Sequence, residues 1–167
     1  MKIIRFIFIA AVLSCCLIMI SACKGKTDEN STPDKVKINN DSITVNEGSS
    51  EIKAGESLKW PGDLMIDIPE PKIKITAVLK DDSKGQCTVA FAELSNEDAK
   101  AYVAKLKSNG YSGGMELSDE NSILFSGIDG KGSQACFAYN AATKEGTISY
   151  EPKASTESDN NTEKSGN

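Results

Sequence analysis

Apolar and polar residues alternate along much of the chain. In residues 36–45, VKINNDSITV, the alternation runs on both sides of Asn39-Asn40-Asp41 and predicts a β-hairpin around a turn-forming cluster. Residues 47–56 return to Gly, Ser and charge and read as a linker. Trp60-Pro61 opens a second stretch in which Leu64, Met65, Ile66 and Ile68 supply apolar cover, and Pro69 and Pro71 force an extended entry into a strand. Residues 73–80 then alternate, with Ile73, Ile75, Ala77 and Leu79 on one face and Lys74, Thr76, Val78 and Lys80 on the other. Residues 86–92 continue with Cys87, Val89 and Phe91 against Thr88, Ala90 and Ala92, which makes a second hairpin through the turn at 81–85.

The period then changes. Ala99, Tyr102, Val103 and Leu106 follow one another at helical spacing, a single apolar stripe. Ser95 is a suitable N-cap with Asp98 three residues on. Lys105 and Lys107 suit the negative end of the helix dipole, and Gly110 can stop the helix so that Tyr111 folds back on Leu106. Three strands are predicted beyond it: 122–128 with Ile123 and Phe125 inward, 133–139 with Ala135, Phe137 and Tyr139 inward, and 147–150 with Ile148 and Tyr150. A short extended piece is expected near 115–117. The predicted fold class is α+β: an antiparallel β-β-α-β-β-β sheet with one helix packed on one face, preceded by the β-hairpin. The helix-free face then carries small and mixed residues such as Thr88, Ala90, Ala138, Thr147 and Ser149, with Val78 among them. The hairpin either docks on that face or lies on a sheet edge.

The ends of the chain have a different character. Lys2 and Arg5 precede an apolar run over residues 6–20, too short for the ~20 residues a spanning helix needs. Ile20-Ser21-Ala22-Cys23 follows, an aliphatic residue, two small residues and a cysteine. This box resembles the lipobox of bacterial lipoproteins, which implies cleavage between Ala22 and Cys23 and attachment of a diacylglyceryl group to the Cys23 thiol. Ordinary signal cleavage and an uncleaved short anchor are the competing readings. Residues 24–35 contain no apolar side chain and read as a tether. Residues 154–167 are equally polar and read as a disordered tail. The expected organisation is thus a signal peptide at 1–22, a tether at 23–35, a hairpin and linker at 36–59, the α+β domain at 60–151 and a tail at 152–167.

Composition narrows the chemistry. The chain has 167 residues, 19 basic against 24 acidic, a net charge of −5 and no histidine. The acidic balance argues against nucleic-acid binding, and the lack of histidine removes imidazole-based catalysis and the commonest transition-metal ligand. The acidic pairs Asp81-Asp82, Glu97-Asp98 and Asp119-Glu120 fall in turns or at the helix start rather than facing each other across a cleft. Asp119-Glu120-Asn121 lacks the spacing of a calcium loop, and the glycines of residues 127–132 join two strands without the phosphate-loop spacing. No catalytic residue, metal site or cofactor is assigned. Of the five cysteines, Cys15 and Cys16 belong to the signal segment and Cys23 to the lipid. Cys87 and Cys136 have opposite strand phases and are expected as free thiols, Cys87 buried and Cys136 more accessible.

Trp60-Pro61, Pro69 and Pro71, Ala101-Tyr102-Val103 with Leu106-Lys107 and Gly110-Tyr111, and the Gly-rich strand pair ending near Tyr139 together resemble an uncharacterised lipoprotein domain of Gram-positive bacteria. The preceding hairpin looks like the segment often found before that domain. The resemblance covers residues 36–151 and implies export, anchoring and the α+β layout. It carries no catalytic residue, and Cys87 and Cys136 are not part of its pattern. The expected protein is a lipoprotein on the extracytoplasmic face of the cell membrane, held there through Cys23. Its small non-enzymatic domain would bind another protein or an envelope ligand. An envelope enzyme inhibitor and a solute-binding accessory lipoprotein are the alternatives.

Overall fold

A computed structural model describes residues 36–39 and 41–153. The signal segment, Ala22, Cys23, the tether and residues 154–167 lie outside the described residues. The described chain runs β1 (Val36–Ile38), β2 (Ser42–Glu47), β3 (Ser50–Gly55), β4 (Lys74–Asp81), β5 (Gln86–Ala92), α1 (Asn96–Ser108), β6 (Glu116–Ser118), β7 (Ser122–Ile128), β8 (Gln134–Asn140) and β9 (Glu145–Glu151). All nine strands join one antiparallel sheet in the order β1-β2-β3-β4-β5-β9-β8-β7-β6. The α+β class is therefore right in outline. The strand order is not the expected one.

Two corrections follow. The supposed linker at 47–56 contains β3, which pairs with β2 on one side and β4 on the other. The N-terminal hairpin is consequently continuous with the sheet and extends its edge, rather than docking on its open face. The turn from β2 into β3 is made at Gly48, whose φ of +58° suits a residue without Cβ. The second correction concerns β4, where the register with β5 shifts between Ile75 and Ala77. One extra residue at a bulge reverses the side-chain phase beyond it. Ile75 stays in the core, but Val78 then points inward and Leu79 outward, the reverse of the strict alternation.

The helix forms where the pattern requires it. The Ser95 hydroxyl accepts from the Asp98 backbone N–H at 3.0 Å and donates to the Asp98 carboxylate at 2.6 Å, a reciprocal N-cap. Ala99, Tyr102, Val103 and Leu106 are buried. Gly110 at φ +95° ends the helix, and the Tyr111 N–H then donates to the Leu106 carbonyl. The helix lies over β7 and β8. The segment around Met65 and Ile68 closes the core as well, since both side chains are buried in the same cluster, and Trp60 packs half-buried against it. The Tyr102 hydroxyl ties these two covers together by donating to the Pro69 carbonyl at 3.0 Å.

The centre of the core is aromatic. Phe91 stacks on Phe137 with ring centroids 5.8 Å apart, Phe137 on Tyr139 at 6.4 Å, and Tyr102 tilts onto Phe137 at 5.3 Å. Between β5 and β8, the position on β9 that faces both Phe91 and Tyr139 is Gly146. A Cβ there would stand 2.1 Å from the Ala138 carbonyl oxygen and 2.5 Å from the Phe91 ring. Gly146→Ala is expected to lower the stability by about 1–3 kcal/mol, the usual range for overpacking a core. Gly130, with no atom within 4 Å of such a Cβ, tolerates the same change. Urea unfolding midpoints of the two variants check this; equal midpoints would contradict it.

Candidate functional site

Each acidic pair has a local structural task. Asp81 accepts from the Ser83 N–H and hydroxyl and from Ser49, and with Lys84 beside it these contacts hold its carboxyl below the ordinary value. Asp98 completes the helix cap. Asp119 accepts from the backbone N–H groups of Asn121 and Ser122, both at 2.7 Å, which lower its pKa and close the β6–β7 turn. The glycine-rich segment is the β7–β8 turn, where the Asp129 carboxylate accepts from the Lys131 and Ser133 N–H groups. Among the described residues no three acidic or cysteine side chains gather in the manner of metal ligands. None of their helices is long and apolar enough to cross a membrane.

Two surfaces remain. One is an open cleft of about 490 Å³ between residues 66–69, Asn109 at the end of α1 and the β7–β8 turn. The Lys131 ammonium reaches Asp67 across it at 3.0 Å. The fully buried Tyr111 hydroxyl has no partner, and its pKa is raised by burial first and then by the carboxylates of Asp129 and Asp67.

The other surface is the helix-free face of the sheet. Strand register places Leu117, Leu124, Ala138, Thr147, Ala90, Ala77, Ala54, Ile43 and Ile38 in one row across all nine strands. The neighbouring row runs Ser126, Cys136, Ser149, Thr88, Leu79, Ile52, Val45 and Val36. Neither row contains a charge. On the helix side of β1–β3 the residues are instead Lys37, Thr44, Asn46, Glu51 and Lys53. These three strands thus turn their apolar side toward the open face, where Ile38, Val36, Ile43 and Ile52 are 75, 53, 47 and 41 % exposed. Leu79 adds to that surface because of the bulge. The sequence pattern had marked Thr88, Ala90, Ala138 and Ser149 as residues of this face. It missed the apolar extension, since that depends on β3 and on the phase reversal in β4.

The middle of the face is small and hydrogen-bonded. Thr88 donates to Ser149 at 3.0 Å and Gln134 to Ser126 at 3.0 Å, with the Cys136 sulfur 3.6 Å from each of Ser126 and Gln134. Cys136 is half-buried on this face while Cys87 is buried in the core at 2 % exposure, and both are free. The opposite strand phases expected of the two cysteines are those found. Compared with family models, with curated proteins and with solved structures, the chain matches none.

The thiols give two testable outcomes. Alkylation of the native protein, mapped by peptide mass, is expected to label Cys136 before Cys87, with Cys87 becoming reactive on unfolding. Equal native rates would contradict the burial. Burial pushes the Cys87 thiol from 9.0 up to about 11. The folded state thus holds its proton where the unfolded chain has lost it. The stabilisation is full below pH 9 and is lost as the pH rises toward 11. Cys87→Val is expected to flatten the fall in stability over that interval, measured as urea midpoints against pH. A fall as steep as that of the parent chain would count against it.

Proposed function

We propose that the protein is a membrane-anchored bacterial surface lipoprotein whose α+β domain is a non-catalytic interaction module of the cell envelope. Cys23 carries the diacylglyceryl group after cleavage behind Ala22, and the polar residues 24–35 space the domain from the bilayer. Two acyl chains, at about 0.8 kcal/mol per buried CH₂, hold such an anchor stably where a single chain does not. The resemblance to the Gram-positive lipoprotein domain agrees with this reading.

The observation that carries the binding role is the uncharged, partly apolar sheet face on an acidic chain. An antiparallel sheet tolerates water on one side when that side is polar. Here the exposed side of β1–β4 is apolar, the pattern of a surface that meets a partner. Several carboxylates, meanwhile, are taken up by turns, the helix cap and ion pairs such as Lys80–Asp63 at 3.1 Å and Lys107–Glu116.

The anchor is tested in a bacterial host that processes lipoproteins. Cys23→Ala is expected to accumulate as a precursor, to lose the mass of the lipid and to leave the detergent phase on partitioning. A Cys23→Ala chain with unchanged mature mass would overturn the anchor. The non-catalytic assignment would fall if the purified chain hydrolysed an envelope polymer and a single carboxylate substitution abolished that activity.

A further inference from the structure

Helix α1 ends on Asn109-Gly110, the one Asn-Gly pair in the chain. Glycine has no side chain to hinder attack by its own nitrogen on the preceding side-chain amide, so Asn109 is chemically the most labile of the asparagines. It is exposed and lines the cleft together with Asp67, Asp129 and Lys131. We infer that Asn109 is a site of spontaneous deamidation, and that the cap of α1 sets its rate through the Asn109–Gly110 peptide. The inference rests neither on the lipid anchor nor on the binding role.

In the reaction the Gly110 nitrogen bonds to the Asn109 Cγ, the Cγ–Nδ2 bond breaks, and ammonia leaves with the proton that the Gly110 nitrogen gives up. Water then adds to either carbonyl of the cyclic imide and opens it, leaving an aspartyl or an isoaspartyl residue at position 109. No oxidant or reductant enters. Ring closure requires the Asn109 Cβ to eclipse the Gly110 nitrogen. At a ψ of 10° the Asn109 backbone nitrogen eclipses it instead, and tetrahedral geometry leaves Cβ roughly 130° away in rotation. The peptide is held in that orientation by the Gly110 N–H, which donates to the Lys107 carbonyl at 3.0 Å.

Little else has to move. Gly110 stands at φ +95°, and a Cβ there would meet nothing within 4 Å. Its freedom to take φ of either sign absorbs a turn of the peptide plane while Tyr111 stays buried. One hydrogen bond is lost, so the reactive arrangement is a local excursion rather than an unfolding. The products act on the same place. Either one adds a carboxylate at the negative end of the helix dipole, in a cleft already lined by Asp67 and Asp129. The isoaspartyl form also lengthens the main chain by one atom ahead of the Tyr111 N–H, which donates to the Leu106 carbonyl at 3.2 Å.

The test holds the full chain in a non-ionic detergent at mildly alkaline pH, native in one arm and unfolded in guanidinium chloride in the other. Position 109 is followed by peptide mass, with the aspartyl and isoaspartyl peptides separated. In the unfolded chain it is expected to convert. In the native chain it is expected to convert about three- to tenfold more slowly, the effect of one hydrogen bond of ordinary strength. Ser108→Gly loosens the last helical turn and is expected to raise the native rate about twofold. Lys105→Gly repeats that arm should circular dichroism show the first variant unfolded. Gly146→Ala acts on global stability through Phe91 and Ala138 and is expected to leave the native rate unchanged. An unfolded chain that keeps Asn109 intact, or a native rate equal to the unfolded one, would overturn the inference. So would a native rate slower by about a thousandfold or more, as gating by global unfolding gives, or one that follows Gly146→Ala and not Ser108→Gly.

Discussion

The fit of Phe91 against Gly146 organises the domain. Three stacked rings, Phe91, Phe137 and Tyr139, need β5 and β8 held on either side of a strand that gives them room, and Gly146 on β9 provides it. Once β9 lies between β5 and β8, the chain must leave β5 and pass through α1 and β6–β8 before returning to β5's side. The helix is thereby carried onto β7 and β8, where Tyr102 meets Phe137. Aromatic pairs at these separations contribute about 0.5–1.5 kcal/mol each beyond the area they bury. Their stronger effect here is on topology.

The sheet that results has two polarities. Over β5, β9 and β8 the large apolar side chains face the helix and small or polar ones face outward, while on β7 Leu124 and Ile128 are turned outward. Over β1–β3 the sense is reversed, with Lys37, Glu51 and Lys53 on the helix side and Val36, Ile43, Val45 and Ile52 on the other. The bulge in β4 is the place of exchange. Before it Ile75 faces the core; after it Val78 does so and Leu79 joins the apolar surface of the first three strands.

This reversal bears on function more than any single side chain does. One carboxylate of each acidic pair is held locally, Asp81 by Ser83, Asp119 by Asn121 and Ser122, and Asp98 at the helix cap, and these shape turns and the helix start. What the domain presents instead is a face with two uncharged rows, small in the middle and apolar on both flanks, at β1–β4 and at Leu117 and Leu124. An exported domain on a lipid tether, as proposed, is confined near a surface together with its partners, and modest contact areas then suffice for association.

Local signals in the sequence were enough for the elements whose stability is local. Ser95 with Asp98, the stripe from Ala99 to Leu106 and Gly110 specify the helix and both its ends, because capping and 3.6-residue periodicity involve neighbours within two turns. The β7–β8 hairpin was legible for the same reason, through Asp129, Gly132 and the inward set of Ile123, Phe125, Ala135 and Phe137. The core role of Cys87 and the exposure of Cys136 also followed from strand phase. Residues 50–55 were not legible: Ser-Glu-Ile-Lys-Ala-Gly has little apolar content and becomes a strand through hydrogen bonds to β2 and β4 on both sides. The bulge between Ile75 and Ala77 was hidden too, since it exists only as a mismatch with β5. The open face depends on both, and on β5 meeting β9 across more than fifty residues of chain. Such long-range pairing fixes which residues share a row, and only the tertiary structure decides it.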